Sequence, residues 1–207
     1  MTPGQDMDND TTRLHFPGHE ARLPWLAWLF DALAVIDQSV GQALAAVGRV
    51  PACQIGCCNC CRNQLIPVTP LEIAGMAWYA DTQLDDTLRS VLARQLRRKR
   101  HAGCRFLLER RCVVYPVRPV ACRRFVVFGR PCAPEEDVWI TRRSDVLIPS
   151  QETKLAADRL MLPYYGLIDA AAQEAALHEE FLRRASQLLF ACDFTSLAHR
   201  LAGPRAA

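Results

Sequence analysis

Cys53-Gln-Ile-Gly-Cys57-Cys58-Asn-Cys60-Cys61 puts five thiols into nine residues, and no regular helix or strand pattern runs through them. Cys104 follows after a long gap. A closing block then reads Cys112-Val-Val-Tyr115-Pro-Val-Arg118-Pro119-Val-Ala-Cys122-Arg123. Two residues between Cys57 and Cys60 let both sulfurs point at one centre, and soft metal sites are built from thiolates drawn from separate segments. One tetrahedral zinc or one cubane iron–sulfur cluster uses about four thiolates. Cys53, Cys57, Cys60, Cys61, Cys104, Cys112 and Cys122 together offer seven. Consecutive Cys60 and Cys61 diverge, so either the centre is polynuclear or some thiols are spare, redox-active or supporting. Cys58, Cys132 and Cys192 read as packing residues, with Cys132 nearest to promotion. His101, three before Cys104, is a candidate nitrogen ligand.

On either side of this segment the pattern is helical. From Pro24 to Val47, the residues Leu26, Leu29, Phe30, Leu33, Ile36, Val40, Leu44 and Val47 recur every three or four positions, with Gly48 at the end. Thr69-Pro70-Leu71-Glu72 is a capping box with proline in the first helical position, opening a helix to about Ala80. Thr82 and Asp85 start another through Leu88, Val91, Leu92 and Leu96, closed by the basic run Arg97–Arg100 and Gly103. Between Cys104 and Ile140, prolines and arginines separate Val113–Tyr115, Phe125–Phe128 and Val138–Ile140, which predicts brief extended pieces. Ser150 caps a helix through Met161, Pro163 interrupts, one long helix runs from Leu167 to Leu189, and Asp193 caps a last short one.

The expected fold is mainly α: a helical domain around an irregular Cys-rich metal-binding segment with at most a small β element. Residues 1–20 form a polar tail in which His15 and His19 are weak ligand candidates. Residues 21–207 form a single domain, with the Cys-cluster region at 53–132. Half of the 207 residues are apolar and the mean hydropathy is −0.02, as in a soluble globular chain. No stretch is long enough to span a bilayer, and the start lacks a secretory signal. That places the protein in the cytoplasm, where clustered cysteines bind metal more often than they form disulfides.

The net charge is only +3, yet between Arg89 and Arg130 thirteen Arg or Lys residues face one acid, Glu109. Phe106, Tyr115, Phe125 and Phe128 lie among them. Stacking on nucleic acid is one reading; a small core around a metal is the stronger one.

The motifs Gly56-Cys-Cys-Asn-Cys-Cys-Arg62, Pro67-Val-Thr-Pro-Leu-Glu72, Cys104-Arg-Phe-Leu107 and the closing block resemble the YkgJ-type CxxCxxCC family over about residues 50–130. Two departures stand out: three residues rather than two separate Cys53 from Cys57, and Arg105 stands where proline is frequent. The resemblance implies a metal-chelating or iron–sulfur protein, with relatives of a flagellin lysine N-methylase in the family. It carries the ligand role to Cys53, Cys57, Cys60, Cys61, Cys104, Cys112 and Cys122. Tyr115, Arg118 and Arg123 become candidate cofactor-facing residues: Arg118 could offset thiolate charge, and Tyr115 could pack on the site or donate to a sulfur. The expected cofactor is an iron–sulfur cluster or iron, with zinc as the alternative in a structural or interaction module. A protein partner or protein substrate fits the relatives. No glycine-rich nucleotide loop, P-loop, H-E-x-x-H or G-x-S-x-G occurs, so catalytic residues are not assigned.

Overall fold

The computed structural model describes residues 13–53, 56–63, 65–98, 103–134 and 136–205, and these residues are mainly helical. In chain order they form α1 (Pro17–Arg22), α2 (Trp25–Val47), α3 (Cys60–Asn63), β1 (Pro67–Val68), α4 (Pro70–Thr82) and α5 (Asp86–Leu96). The hairpin β2 (Leu107–Leu108) and β3 (Arg111–Cys112) comes next, followed by α6 (Val120–Arg124) and α7 (Val138–Thr141). The chain ends with α8 (Gln151–Met161), α9 (Ala170–His178), α10 (Phe181–Ala185), β4 (Gln187–Leu188) and α11 (Thr195–Ala202). The sheets are two antiparallel pairs, β1 with β4 and β2 with β3. No helix among the described residues is long and apolar enough to cross a membrane.

The long helix α2 is the spine. Leu26, Leu29, Phe30, Leu33, Ile36 and Val40 are buried along one face, against α8, α6 and α4. Gly48 ends it in the left-handed region at φ 62°, donating its N–H to Leu44 O at 3.3 Å. Val47 is half exposed, so the apolar stripe outlasts the buried face. Within the stretch expected as a tail, Phe16 packs on Phe30 and Trp78, and His19 stacks edge-on to Trp78. Residues 1–12 and the candidate ligand His101 lie outside the described residues.

The capping box of α4 is present in both directions. Thr69 Oγ1 accepts from Glu72 N at 3.3 Å, and Glu72 Oε2 accepts from Thr69 N at 2.7 Å. Asp85 caps α5 through Leu88 N at 2.8 Å. Thr82, read as part of that start, instead closes α4 and bonds back to Trp78 O. Ser150 caps α8 as expected, and Asp193 accepts from Thr195 N and Oγ1 ahead of α11.

Three expectations fail. The long helix over 167–189 is broken: Asp169 caps a helix only to His178, and Glu180 takes a left-handed conformation (φ 52°). Gln187–Leu188 then leaves helical geometry to pair with Pro67–Val68, and Leu189 N adds a bond to Ile66 O at 2.9 Å. A strand partner about 120 residues away overrides local helix preference. Val113–Tyr115 enters a 3₁₀ turn at Tyr115–Val117, and Val138–Ile140 begins α7, capped by Asp137, rather than being extended. Phe125–Phe128 does contribute isolated bridges, Val127 to Val146 and Phe128 to Pro51.

The α2–α4 contact depends on a missing side chain. A Cβ at Gly75 would overlap Leu29 Cδ2, so Leu29 fills the notch that glycine leaves. Leu29→Ala is expected to cost about 2–5 kcal/mol by denaturant unfolding. Leu29→Ala/Gly75→Ala is expected to cost less than the sum of the single changes, because the new methyl partly refills the cavity. Strict additivity would show that the two positions do not share this space.

Candidate metal centre

Two segments separated by α4 and α5 are clamped together at the thiols. Cys60 and Cys61 open α3, held by Cys61 N to Cys58 O at 3.0 Å and Arg62 N to Asn59 O at 3.1 Å. Cys104 N donates to Cys61 O at 2.6 Å, joining the second segment to the first through the backbone. Gly103 permits this approach. It sits at φ +85°, and a Cβ there would stand 2.8 Å from Cys61 O and 2.9 Å from Arg62 Cα.

The hairpin positions the next sulfur. Cys112 pairs with Leu107, and Glu109 and Arg110 turn the chain at φ 45° and 66°. Pro119 then introduces α6, whose third residue is Cys122.

The electrostatics groups the sulfurs by the charges that act on each. Ionisation of Cys122 is opposed first by burial and then by the charges of Cys104, Cys112 and Cys60. Burial, followed by Cys112 and Cys60, pushes Cys104 up to about 11, although the Phe106 N–H bonded to its sulfur pulls the other way. Cys112 is raised by burial and by Cys60, and lowered by Val114 N–H, Arg118 and Arg123. The Cys60 thiol is raised by its hydrogen bond with Cys61 and by burial. Cys60, Cys61, Cys104, Cys112 and Cys122 therefore form one neighbourhood. Cys53 and Cys57 lie beside it: burial raises Cys53, opposed by a bond from Val127 N (3.4 Å to Sγ), with Cys57 and Cys60 adding to the rise.

All ten cysteines are free, six of them half-buried around these segments, while Cys58 and Cys192 are buried. Cys192 packs in the main core. Among the described residues, no three Cys, His, Asp or Glu side chains stand close enough as they are to close on one ion. The donors are nonetheless chemically suited to a soft cation: several half-buried sulfurs, mutually repelling when ionised, with two arginines acting on one of them.

The non-cysteine candidates divide in role. The Arg118 guanidinium lies 4.0 Å from the Tyr115 ring centre and donates to Tyr115 O at 3.2 Å, with Tyr115 largely exposed. Arg123 is buried and pairs with Asp37 of α2. It also donates to Pro116 O and to Arg118 O (2.9 Å), so it braces the closing block while its charge reaches Cys112. Burial lowers Arg123 to about 10. Phe106 and Phe128, which looked available for stacking, are buried in the core.

Two residues near the thiols went unassigned in the sequence. Tyr79 is raised by burial and then by the charge of Cys112, and Glu72 opposes ionisation of Cys122. They lie seven residues apart on α4, two turns along one face. The signal was there: two polar groups at helical spacing on a side that otherwise turns inward.

Cys132 is buried, and its carbonyl accepts from Asn59 Nδ2 at 2.5 Å. Its loop is pinned by Glu136, which accepts from Ala133 N at 2.7 Å, Thr141 Oγ1 at 3.0 Å, Arg142 Nε at 2.9 Å and Arg130 Nη2 at 3.1 Å.

Residues 52–143 match the family model CxxCxxCC, described as "Putative zinc- or iron-chelating domain". The resemblance read from the motifs is thus confirmed over this segment, which contains every cysteine from Cys53 to Cys132. The match supports metal binding, zinc or iron, by this part of the chain. No curated protein and no solved structure matches it.

Gly103→Ala is expected to lower the melting temperature and to speed alkylation of Cys104, because the side chain forces Cys61 and Cys104 apart; unchanged labelling would remove the clamp. The Arg142 bond, with Ala133 N–H and Thr141, holds Glu136 at about 2, below its ordinary 4.5. Its contribution is therefore present above pH 4.5 and lost as pH falls through about 2. The stability gap between the wild type and Glu136→Gln is expected to hold steady from pH 8 to 5 and to shrink toward pH 2. A gap that closes already at pH 5 would refute the depressed carboxyl.

Proposed function

We propose that the chain is a metal-binding protein whose thiols hold an iron–sulfur cluster or iron. The observation that carries this is the joining of two thiol segments, which α4 and α5 separate, by the bond from Cys104 N to Cys61 O at 2.6 Å, with Cys104, Cys112 and Cys60 all opposing ionisation of Cys122. Cys61 is bonded to Cys60, and Cys53 and Cys57 flank them. These seven residues are the proposed ligands, and loading would draw their sulfurs inward.

The resemblance read from the motifs favours iron, and the number of thiols favours more than a lone ion. Seven thiols exceed the about four that one tetrahedral ion takes. Arg118 and Arg123 act on Cys112 as cations beside an anionic thiolate centre should. Tyr115 supports the site through the Arg118 stack. An iron–sulfur cluster would supply one-electron redox chemistry, which is the basis for a redox or protein-modifying role on a protein partner. We place that role in a reducing cytoplasm, in keeping with ten free thiols.

The second reading, a zinc-stabilised structural or interaction module, is favoured by the two-residue strands of the β2–β3 hairpin, which bury little surface of their own. Anaerobic purification separates the two. Iron with acid-labile sulfide, a coloured protein, and loss of both in Cys104→Ala and Cys122→Ala are expected. A colourless protein with stoichiometric zinc, unfolding on chelation, would replace iron with the zinc module. A protein that takes up neither metal would end both readings.

A further inference from the structure

We infer that the exposed arginines at the end of α5 and on the β2–β3 hairpin form a docking face for an acidic surface of a partner protein, beside the thiol segments. This goes beyond the metal-binding reading, which does not say where a partner sits, and it stands or falls separately.

The face is defined by charges that the molecule itself does not neutralise. Arg94, Arg97, Arg98, Arg110 and Arg111 are all exposed. Among the described residues none of these five has an ion pair, a side-chain hydrogen bond or a ring contact, whereas every other described arginine has a partner. The contrast is plain on α10, where Arg183 and Arg184, also adjacent and exposed, each pair with a glutamate. Unpaired arginine is thus confined to residues 94–111, and two sets of bonds draw that stretch together. Gln95 Nε2 donates to Arg105 O at 2.7 Å and to Leu107 O at 2.9 Å. Arg105 Nη1 donates to Leu96 O at 3.1 Å and to Arg98 O at 3.0 Å. The end of α5 is therefore held against the base of the hairpin.

The helix dipole accounts for cations at the end of α5 but not for those on the hairpin. The hairpin turn is Glu109-Arg110, with φ 45° and 66°, a left-handed pair that Asn and Gly adopt most readily. Long charged side chains in that conformation work against stability, which points to a use outside the fold.

Position supplies the use. Arg111 precedes Cys112, Arg105 follows Cys104, and Cys112 pairs with Leu107. A partner seated on these arginines is held next to the proposed metal centre, where a redox or protein-modifying role needs it. Guanidinium groups grip carboxylates through paired N–H bonds, and an unpaired cationic patch speeds encounter with an acidic surface. Nucleic acid fits less well. Phe106 is buried and the Tyr115 ring is covered by Arg118, so neither ring is open to a base. Glu109, exposed and without a partner among the described residues, stands at the hairpin turn beside the arginines. A continuous phosphate chain would meet that carboxylate, whereas a folded protein can place a base or a gap opposite it.

The test is fluorescence anisotropy of the full-length chain at low ionic strength, with a labelled peptide of alternating Glu and Gly as the probe. The variant Arg97→Gln/Arg98→Gln/Arg110→Gln/Arg111→Gln changes only exposed side chains. It is expected to bind about tenfold more weakly than the wild type, the size of loss that several exposed ion pairs give together. The charge-matched control Arg22→Gln/Arg159→Gln/Arg183→Gln/Arg184→Gln is expected to bind as the wild type does. Equal weakening in the control would overturn the face, since net charge alone would then explain binding. No binding of the peptide by the wild type would overturn it as well. Tighter binding of an oligonucleotide of matched charge, lost in the same quadruple variant, would replace the protein partner with a nucleic acid. The expected pattern in a chain that takes up no metal would keep the face and sink only the metal-binding reading.

Discussion

The carboxylate of Glu72 is the joint on which the arrangement of helices and thiols turns. It is buried, and both oxygens are engaged: Oε2 with Thr69 N and Oγ1 (2.7 and 2.9 Å), and Oε1 with Val120 N (2.8 Å). One residue therefore closes the N-terminus of α4, on which it lies, and that of α6, which begins 48 residues later. The short helix α6 has no side-chain cap of its own, and its free N–H groups would otherwise be left open. Burial pushes the Glu72 carboxyl upward, while the donors from Thr69 and Val120 pull it back. Losing the Val120 donor would leave the buried Oε1 without a partner, which costs more than the bond itself contributes. The position of Cys122 is thus set in trans, by a residue that reads in the sequence as a local helix cap.

Part of the arginine excess serves as internal bracing. Arg89 is buried and pairs with Asp81 at 2.9 Å while reaching Arg200 O, which ties α5 to α11. Arg105 donates to the carbonyls of Leu96 and Arg98 and so closes the end of α5, beside the clamp at Cys104. Arg123 links α6 to α2 through Asp37, and Arg142 holds Glu136, Asp145 and two carbonyls together. A planar guanidinium with five donors suits this bridging better than an ammonium would. Irregular backbone leaves many carbonyls without a regular partner, and the described residues of 103–142 hold only strands and helices of two to five residues. Arg89, Arg105 and Arg123, within the stretch that suggested a nucleic-acid surface, supply donors to such carbonyls.

What could be read from the residues was what depends on near neighbours. The apolar stripe of α2, the capping box at Thr69 and the caps at Asp85 and Ser150 are set within four residues, and all appear as expected. The break at Glu180 and the pairing of Gln187–Leu188 with Pro67–Val68 depend on a partner far along the chain, so helical preference misled there. The site divides along the same line. The spacing of Cys57 and Cys60, and the closing block, identified the thiol segments. The contact between Asn59 and Cys132 spans 73 residues, and Tyr79 and Glu72 approach the sulfurs only through the docking of α4.

The raised thiols impose a condition on whatever fills the site. Cys53, Cys60, Cys104, Cys112, Cys122 and Cys132 are all raised, and each would be opposed by its neighbours if several ionised together. A disulfide would remove two sulfurs at a time and leave the rest. A cation reverses the sign of the problem, since each thiolate that repels its neighbours is attracted to the shared charge, and a coordinating thiol gives up its proton. Loading of the proposed site would therefore be coupled to proton release, and the repulsion among its thiolates would become the reason it holds the ion. Arg118, stacked on Tyr115, acts on Cys112 and would help balance the negative charge that four thiolates leave on a divalent ion. Burial of the sulfurs, the joining of two distant segments at Cys61 and Cys104, and arginines acting on Cys112 are all in keeping with the proposed cation.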